Sequence, residues 1–330
     1  MDSFVFEPLP GRVRFGAGSL AALPEEMARR GLQRALVLAT PQQEAEARRV
    51  AGLLGGAAVG VFAGAVMHTP VAVSEQAAAV ARQAGADCTV AVGGGSTTGL
   101  GKAVALRTGL VQVVVPTTYA GSEMTPILGQ TEGGRKTTLR SLDVLPELVL
   151  YDVELTLGLP VGLSVTSGLN ALAHAAEALY VRDGNPVIAL MAERGIRLFA
   201  EALPRIIAEP AGREARAAAL EGAWLCGACL GAVGMALHHK LCHVLGGRFG
   251  LPHAETHAVI LPHALAYNAP AAPAAMARIA AALGVGEAAA GLYELAGRLG
   301  APRALRELGM PAAGIAAAAA EAVENPYWNP

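Results

Sequence analysis

The chain has 330 residues, 53% of them apolar and 16% charged, with a net charge of −2 and a pI near 6.5. Such a composition excludes a disordered chain and gives no overall electrostatic attraction for nucleic acid or an anionic membrane. Mean hydropathy is positive, yet the longest uncharged stretch, Val50–Ser74, is interrupted by Gly55-Gly56, His68 and Pro70. Leu155–Ala176 and Thr256–Ala277 are broken by prolines and polar residues too, the pattern of core elements and not of membrane spans.

In chain order, Met1-Asp2-Ser3 lacks the basic and apolar regions of a secretion signal, so a cytoplasmic location is expected. From Arg12 to about Asp152, strands are predicted at Arg34–Thr40, Ala58–Phe62, Asp87–Val92, Leu110–Val115 and Pro146–Asp152. Helical spacing lies between them at Pro41–Leu54, Val71–Gln83 and Thr98–Arg107. This alternation specifies an α/β domain with a parallel, doubly wound, Rossmann-like sheet. Gln130–Arg140, with Gly-Gly between β-prone flanks, reads as a hairpin. Beyond Pro160 the strand signals stop. Val161–Ala320 is rich in Ala and Leu at helical spacing, broken at Asp183–Pro186, Pro210, Pro252 and Ala269–Pro273. Two domains are expected: residues 1–158, binding a dinucleotide, and an all-helical 159–330, carrying substrate and catalysis. The four cysteines form no disulfide framework, and Cys226-x-x-Cys229 lies in a helical stretch without a second pair, which suits helix-core cysteines.

The strand Asp87–Val92 runs into Gly93-Gly-Gly-Ser96 and then a helix containing Lys102. Glycines let the backbone approach an anion, and a helix N-terminus presents unpaired N–H groups and a positive dipole end. The run is neither G-x-G-x-x-G, since Thr98 stands at the third glycine position, nor a G-x-x-x-x-G-K-[ST] loop. A second polar loop, Pro116–Glu123, follows the next strand, and loops at the carboxyl ends of adjacent strands flank the crevice where doubly wound sheets bind ligands. Gly93, Gly94, Gly95, Ser96, Thr117, Thr118 and Ser122 are therefore the candidate cofactor residues. Thr40 ends the strand where NAD-selective sites often carry a carboxylate, so both NADH and NADPH are admissible.

Six of the eight histidines lie between residues 174 and 257. Asn170 and His174 are i, i+4 on one helix, as are His239 and His243, with His253 opening a further segment; such spacing suits a site assembled from several helices. His68, His257 and His263, taken singly, read as helix caps or partners of buried carbonyls.

Together these segments resemble the iron-containing alcohol dehydrogenase family, whose fold is that of dehydroquinate synthase. The resemblance rests on Gly93–Ser96, Pro116-Thr-Thr118, Gly121-Ser-Glu123, Asn170–Tyr180, His239-x-x-x-His243-x-Leu-Gly-Gly247 and Pro252-His253. It implies an N-terminal Rossmann-like α/β domain, a C-terminal helical domain, a nicotinamide cofactor and a homodimer. Gly94-Gly-Ser-Thr-Thr-Gly-Leu-Gly-Lys102, His238–His243 and the closing Asn325-Pro-Tyr-Trp-Asn-Pro330 look most like the branch that reduces maleylacetate to 3-oxoadipate; members of that branch run on past this motif, which implies a shortened C-terminus here.

Metal-using members hold Fe or Zn with an aspartate and three histidines. By position those histidines match His174, His239 and His253, but the aspartate position is Asn170, and an amide is a poor, uncharged ligand. The expectation is therefore reduction of the conjugated double bond of a small dicarboxylate without a metal. Hydride goes to the carbon β to the ketone, an electrostatic partner holds the enolate, and a proton goes to the α carbon. His243, His239 and Lys240 are the candidate catalytic residues. Asn170, His174, His238, His253 and Tyr119 are candidate substrate contacts, in a pocket expected to be cationic. The competing readings are a metal-dependent alcohol dehydrogenase or carbonyl reductase, a dehydroquinate-synthase-like cyclase, and a cofactor-binding protein without catalysis.

Overall fold

A computed structural model describes residues 4–133 and 135–330. Met1-Asp2-Ser3 and Gly134 of the hairpin turn lie outside the described residues. The chain forms two compact units, Leu9–Thr118 with Ser122–Gly158, and Leu159–Pro330 with residues 4–8 and Tyr119–Gly121.

The first unit runs β1 (Arg12–Phe15), α1 (Leu23–Ala28), β2 (Ala35–Leu38), α2 (Glu44–Leu54), β3 (Ala58–Phe62), α3 (Val71–Gln83), β4 (Cys88–Gly93), α4 (Gly95–Thr108), β5 (Val111–Pro116), β6 (Ile127–Glu132), β7 (Arg135–Arg140) and β8 (Leu148–Tyr151). Six strands form one parallel sheet in the order β1-β8-β5-β4-β2-β3, and β6 and β7 form the expected antiparallel hairpin. Strands β2, β4 and β8 are buried along their whole length, so β2 and β8 read in the sequence as apolar runs and β4 as one interrupted only by Thr89 before its closing glycine. Strand β1 carries no such signal. Its Arg-Val-Arg-Phe alternates, and it pairs with β8 alone at the sheet edge. The chain leaves β2 outward to β3 and returns to β4, so the strand order reverses between β2 and β4.

The second unit contains α5 (Val161–Ala178), α6 (Pro186–Ala208), α7 (Arg213–Ala232), α8 (Leu237–Phe249), α9 (His253–Asn268), α10 (Pro273–Leu283), α11 (Ala288–Arg298) and α12 (Ile315–Glu324). The break at Asp183–Pro186 is a helix start: the Asn185 side chain accepts from the N–H groups of Val187 and Ile188, and Pro186 takes the first position. Glycines bring α6 and α7 close, since a Cβ on Gly195 would stand 2.6 Å from the Cys226 Sγ. Cys226 and Cys229 are buried and unpaired, and burial pushes both thiols up, Cys229 to about 12. The stretch Pro273–Arg298 is long and apolar enough to span a bilayer, but half of its most apolar part is buried in the unit, as in a core helix.

Candidate active site

The glycine turn sits at the switch between β2 and β4, the position where open α/β sheets bind ligands. Gly93 has φ +154°, and a Cβ there would stand 2.5 Å from the Thr97 Oγ1 and 2.7 Å from the Gln43 Oε1. On Gly94 a Cβ would meet the Thr118 side chain at 2.9 Å. Gly94 is the N-cap of α4, Gly95 is exposed, and the first turn carries no acidic residue, so the positive end of the helix is left for an anion. The Thr117 N–H donates to the Gly93 carbonyl, and the Gln43 Nε2 donates to the Thr117 Oγ1 while its Oε1 lies 3.3 Å from the Thr40 Oγ1. Gln43 thus ties Thr40 to the loop after β5, a role sequence reasoning missed because one Gln after a proline carries no motif. Ser122 stands apart, opening the 3-10 turn Ser122–Met124, where its carbonyl accepts from Thr125. Lys102 points inward and is fully buried, donating to the Thr125 carbonyl, the Thr125 Oγ1 and the Ile127 carbonyl at 2.7–2.8 Å; burial lowers its ammonium to about 7.

In the helical unit, α5, α8 and α9 gather the imidazoles. The His174 Nδ1 is 2.9 Å from the His239 Nε2, the His239 Nδ1 is 2.6 Å from the Glu177 carboxylate, and the His174 Nε2 is 3.3 Å from the Ala120 carbonyl. Glu177 also accepts from the N–H groups of Ala236 and His238, capping the start of α8. Burial opposes its charge, but His239 and these N–H groups outweigh it, and the carboxyl is held below its ordinary range. Glu177 lies inside the stretch Asn170–Tyr180, yet an acid one turn past His174 is invisible as a cap until α8 is placed over it. His257 was also missed as a site residue. It is fully buried, ring-to-ring with His253 at 4.3 Å, His238 at 4.8 Å and His239 at 5.1 Å, and neither of its ring nitrogens has a hydrogen-bond partner among the described residues. Asn170 approaches His174 at 3.5 Å, and its buried Oδ1 has no hydrogen-bond partner among the described residues. Half-buried His243 bonds through Nδ1 to the Tyr327 hydroxyl at 2.9 Å, and the Lys240 Nζ lies 5.8 Å from the Tyr327 ring centre.

Two expectations need correction. Tyr119 is no substrate contact: it is wholly buried, its hydroxyl accepts from Arg216, and its ring packs edge-on against Phe199. The pocket is also not cationic throughout. Burial drives the His174 and His257 imidazoles well below their ordinary range and His238 to about 4, so this inner group is uncharged near neutrality.

The donor set does not fit the iron that the resemblance suggests. His174, His239 and His253 come with the Asn170 amide in place of a carboxylate. The His174 Nδ1 and the His239 Nε2 bond to each other, and the Glu177 oxygens are spent on His239 and two backbone N–H groups. The buried trio His238, His239 and His257, with one nitrogen each within 4.8 Å of the others, is likewise without an anionic ligand.

A parallel sheet with a glycine turn at its switch point, joined in one chain to a helical unit bearing an imidazole cluster, marks a nucleotide-dependent oxidoreductase, and comparison with known proteins gives the family. The profile described as iron-containing alcohol dehydrogenase matches residues 10–153, and that of the C-terminal part of the Fe-containing alcohol dehydrogenase family matches 164–330, so the chain belongs to this family. It is 59% identical to the maleylacetate reductase of Rhizobium sp. (strain MTP-10005) and 61% identical to that of Burkholderia cepacia, in each case over 100% of this chain and 94% of the relative. The crystal structure of maleylacetate reductase from Agrobacterium tumefaciens superposes with a TM-score of 0.96 at 59% identity, over 99% of this chain and 93% of that one.

Proposed function

We propose that the chain is a maleylacetate reductase, an NAD(P)H-dependent enzyme that reduces the conjugated carbon–carbon double bond of maleylacetate to give 3-oxoadipate. The observation that carries this reading is identity of about 60% with maleylacetate reductases along the whole chain. Residues 1–158 are assigned to the dinucleotide and 159–330 to substrate and proton supply. Thr40, Gly93, Gly94, Gly95, Ser96, Thr117, Thr118 and Ser122 are assigned to the cofactor; the close backbone approach at Gly93 and Gly94 supports this, and Thr40, having no charge, does not repel a 2′-phosphate. When bound, the reduced nicotinamide supplies hydride to the β carbon.

The chain's own residues then manage charge and proton. Reduction at the β carbon leaves an enolate, whose oxygen needs hydrogen-bond donors or a cation. His239, oriented by Glu177, together with His174, is assigned to that oxygen, which on binding would replace the bond between the two rings, and Lys240 and His253 to the substrate carboxylates. Asn170 and His238 line the inner wall of the cluster. His243 is assigned to proton delivery at the α carbon. No step passes through a metal, and we extend the homodimer and a cytoplasmic location from the family resemblance.

The test is NADH and NADPH oxidation with freshly prepared maleylacetate, using chelator-treated protein with its metal content measured. Rapid turnover by metal-free protein is expected. Turnover that returns only with zinc or iron would transfer the enolate to a metal held by the imidazoles and favour the metal-dependent dehydrogenase reading.

A further inference from the structure

The closing motif Asn325–Pro330 has no part in the reaction as assigned above, yet it is built into the helical unit at the point where His243 stands. Asn329 forms a reciprocal amide pair with buried Asn268 on α9, at 2.7 and 3.0 Å, and its Oδ1 accepts from the Leu237 N–H at 3.3 Å, at the start of α8. One side chain thus pins the segment to two helices and satisfies one of the N–H groups that a helix start leaves unpaired. Two residues earlier, the half-buried Tyr327 places its hydroxyl 2.9 Å from the His243 Nδ1, with the rings edge to face at 5.9 Å. The Lys240 ammonium, 5.8 Å from the Tyr327 ring centre and one turn before His243, favours the same ring placement. The phenol is pushed above its ordinary range by burial and the nearby Glu177 charge, so it keeps its proton.

We infer that Tyr327 is a positioning residue for His243, and that the Asn325–Pro330 segment is the element that aims this imidazole at the substrate. The inference rests on the proposed role of His243 in proton delivery. A hydroxyl both donates and accepts, so it bonds Nδ1 whether that nitrogen carries a proton or a lone pair. With Nδ1 engaged in either state, the exchanged proton is assigned to Nε2. The step balances within the proposed reaction. The nicotinamide is oxidised as its hydride reduces the β carbon, and the enolate electron pair takes the Nε2 proton at the α carbon as the C=O bond reforms. The donor in this step is the imidazolium form, which is left as a neutral imidazole with its proton on Nδ1, and the solvent proton that the net reaction consumes restores Nε2.

The test is a double-mutant cycle of Tyr327→Phe and His243→Ala, read as turnover number, KM for maleylacetate and Kd for NADH. Tyr327→Phe removes one oxygen and keeps the ring. It is expected to lower turnover about ten- to a hundred-fold, as loss of an orienting partner does, with Kd for NADH changed by less than about twofold. In the His243→Ala background it is expected to add nothing. Equal losses in both backgrounds would overturn the inference, because Tyr327 would then act independently of His243. Wild-type turnover in Tyr327→Phe beside a slow His243→Ala would overturn it as well, while leaving the proton role of His243 standing. Near-normal turnover in His243→Ala would instead remove that role, and the inference with it. Nitrogen-15 spectra of histidine-labelled wild-type protein give a readout independent of how any variant folds. The His243 Nδ1 resonance is expected in the hydrogen-bonded range; a bare, unbonded Nδ1 would sink the proposal.

Discussion

Gly94 sits where a single methyl group decides whether a turn stays open. A Cβ there would stand 2.9 Å from the Thr118 Oγ1 and Cγ2, and the neighbour is a short, β-branched side chain with little room to yield. Gly94→Ala is therefore expected to raise the Kd for NADH more than tenfold, roughly 1.4 kcal/mol or more, with a small effect on unfolding midpoint. Isothermal titration checks it, and unchanged affinity would take the glycine turn out of the cofactor site. At this scale the glycine run was readable, because a strand ending in three glycines is a local pattern. Gln43 and Glu177 were not. Each acts through a partner distant in sequence, Thr117 for Gln43 and the start of α8 for Glu177.

Among the elements, α7 carries the heaviest polar load. Arg216 is wholly buried; its guanidinium donates to the carbonyls of Pro210 and Leu159, the Ser164 Oγ and the Tyr119 hydroxyl at 2.6–3.2 Å. A lysine has the charge but not the planar fork, and it would leave some of these acceptors unpaired. Arg216→Lys is expected to destabilise the fold by about 2–4 kcal/mol, measured by urea unfolding. A loss below about 0.5 kcal/mol would show that water replaces the lost bonds. The same helix meets the Tyr119–Gly121 segment through Gly227, whose added Cβ would lie 2.5 Å from the Gly121 carbonyl oxygen. Helix α7 itself was legible as an Ala-rich periodic run, whereas β1 was not: a short edge strand with one partner has no need of a continuous apolar run.

For the molecule as a whole, the buried imidazoles set an acid limit. His174, His238 and His257 have folded-state values below the unfolded value of about 6.5, with His238 at about 4. The unfolded chain therefore binds protons that the folded one refuses, so the stability these three imidazoles contribute is complete above about pH 6.5 and falls as pH drops toward 4. Each such group contributes up to about 1.4 kcal/mol per pH unit within that window. Urea unfolding at pH 7, 6 and 5 is expected to show uptake of more than two protons at the lowest pH. A flat profile from pH 7 to 5 would mean that the cluster takes up protons freely when folded.

The sequence alone determined the α/β class, the switch to an all-helical second half, the glycine turn and the concentration of histidines, because each is written in local periodicity or in runs of a few residues. Through the resemblance it also pointed to the reductase branch of the family. Only the tertiary structure decided which imidazoles meet, that His257 lies among them, that Tyr119 is core, and that His174, His238 and His257 are held neutral by burial near one ionised carboxylate. Those properties depend on burial and on partners from different helices, and a protonation state follows from its surroundings, which no stretch of sequence contains.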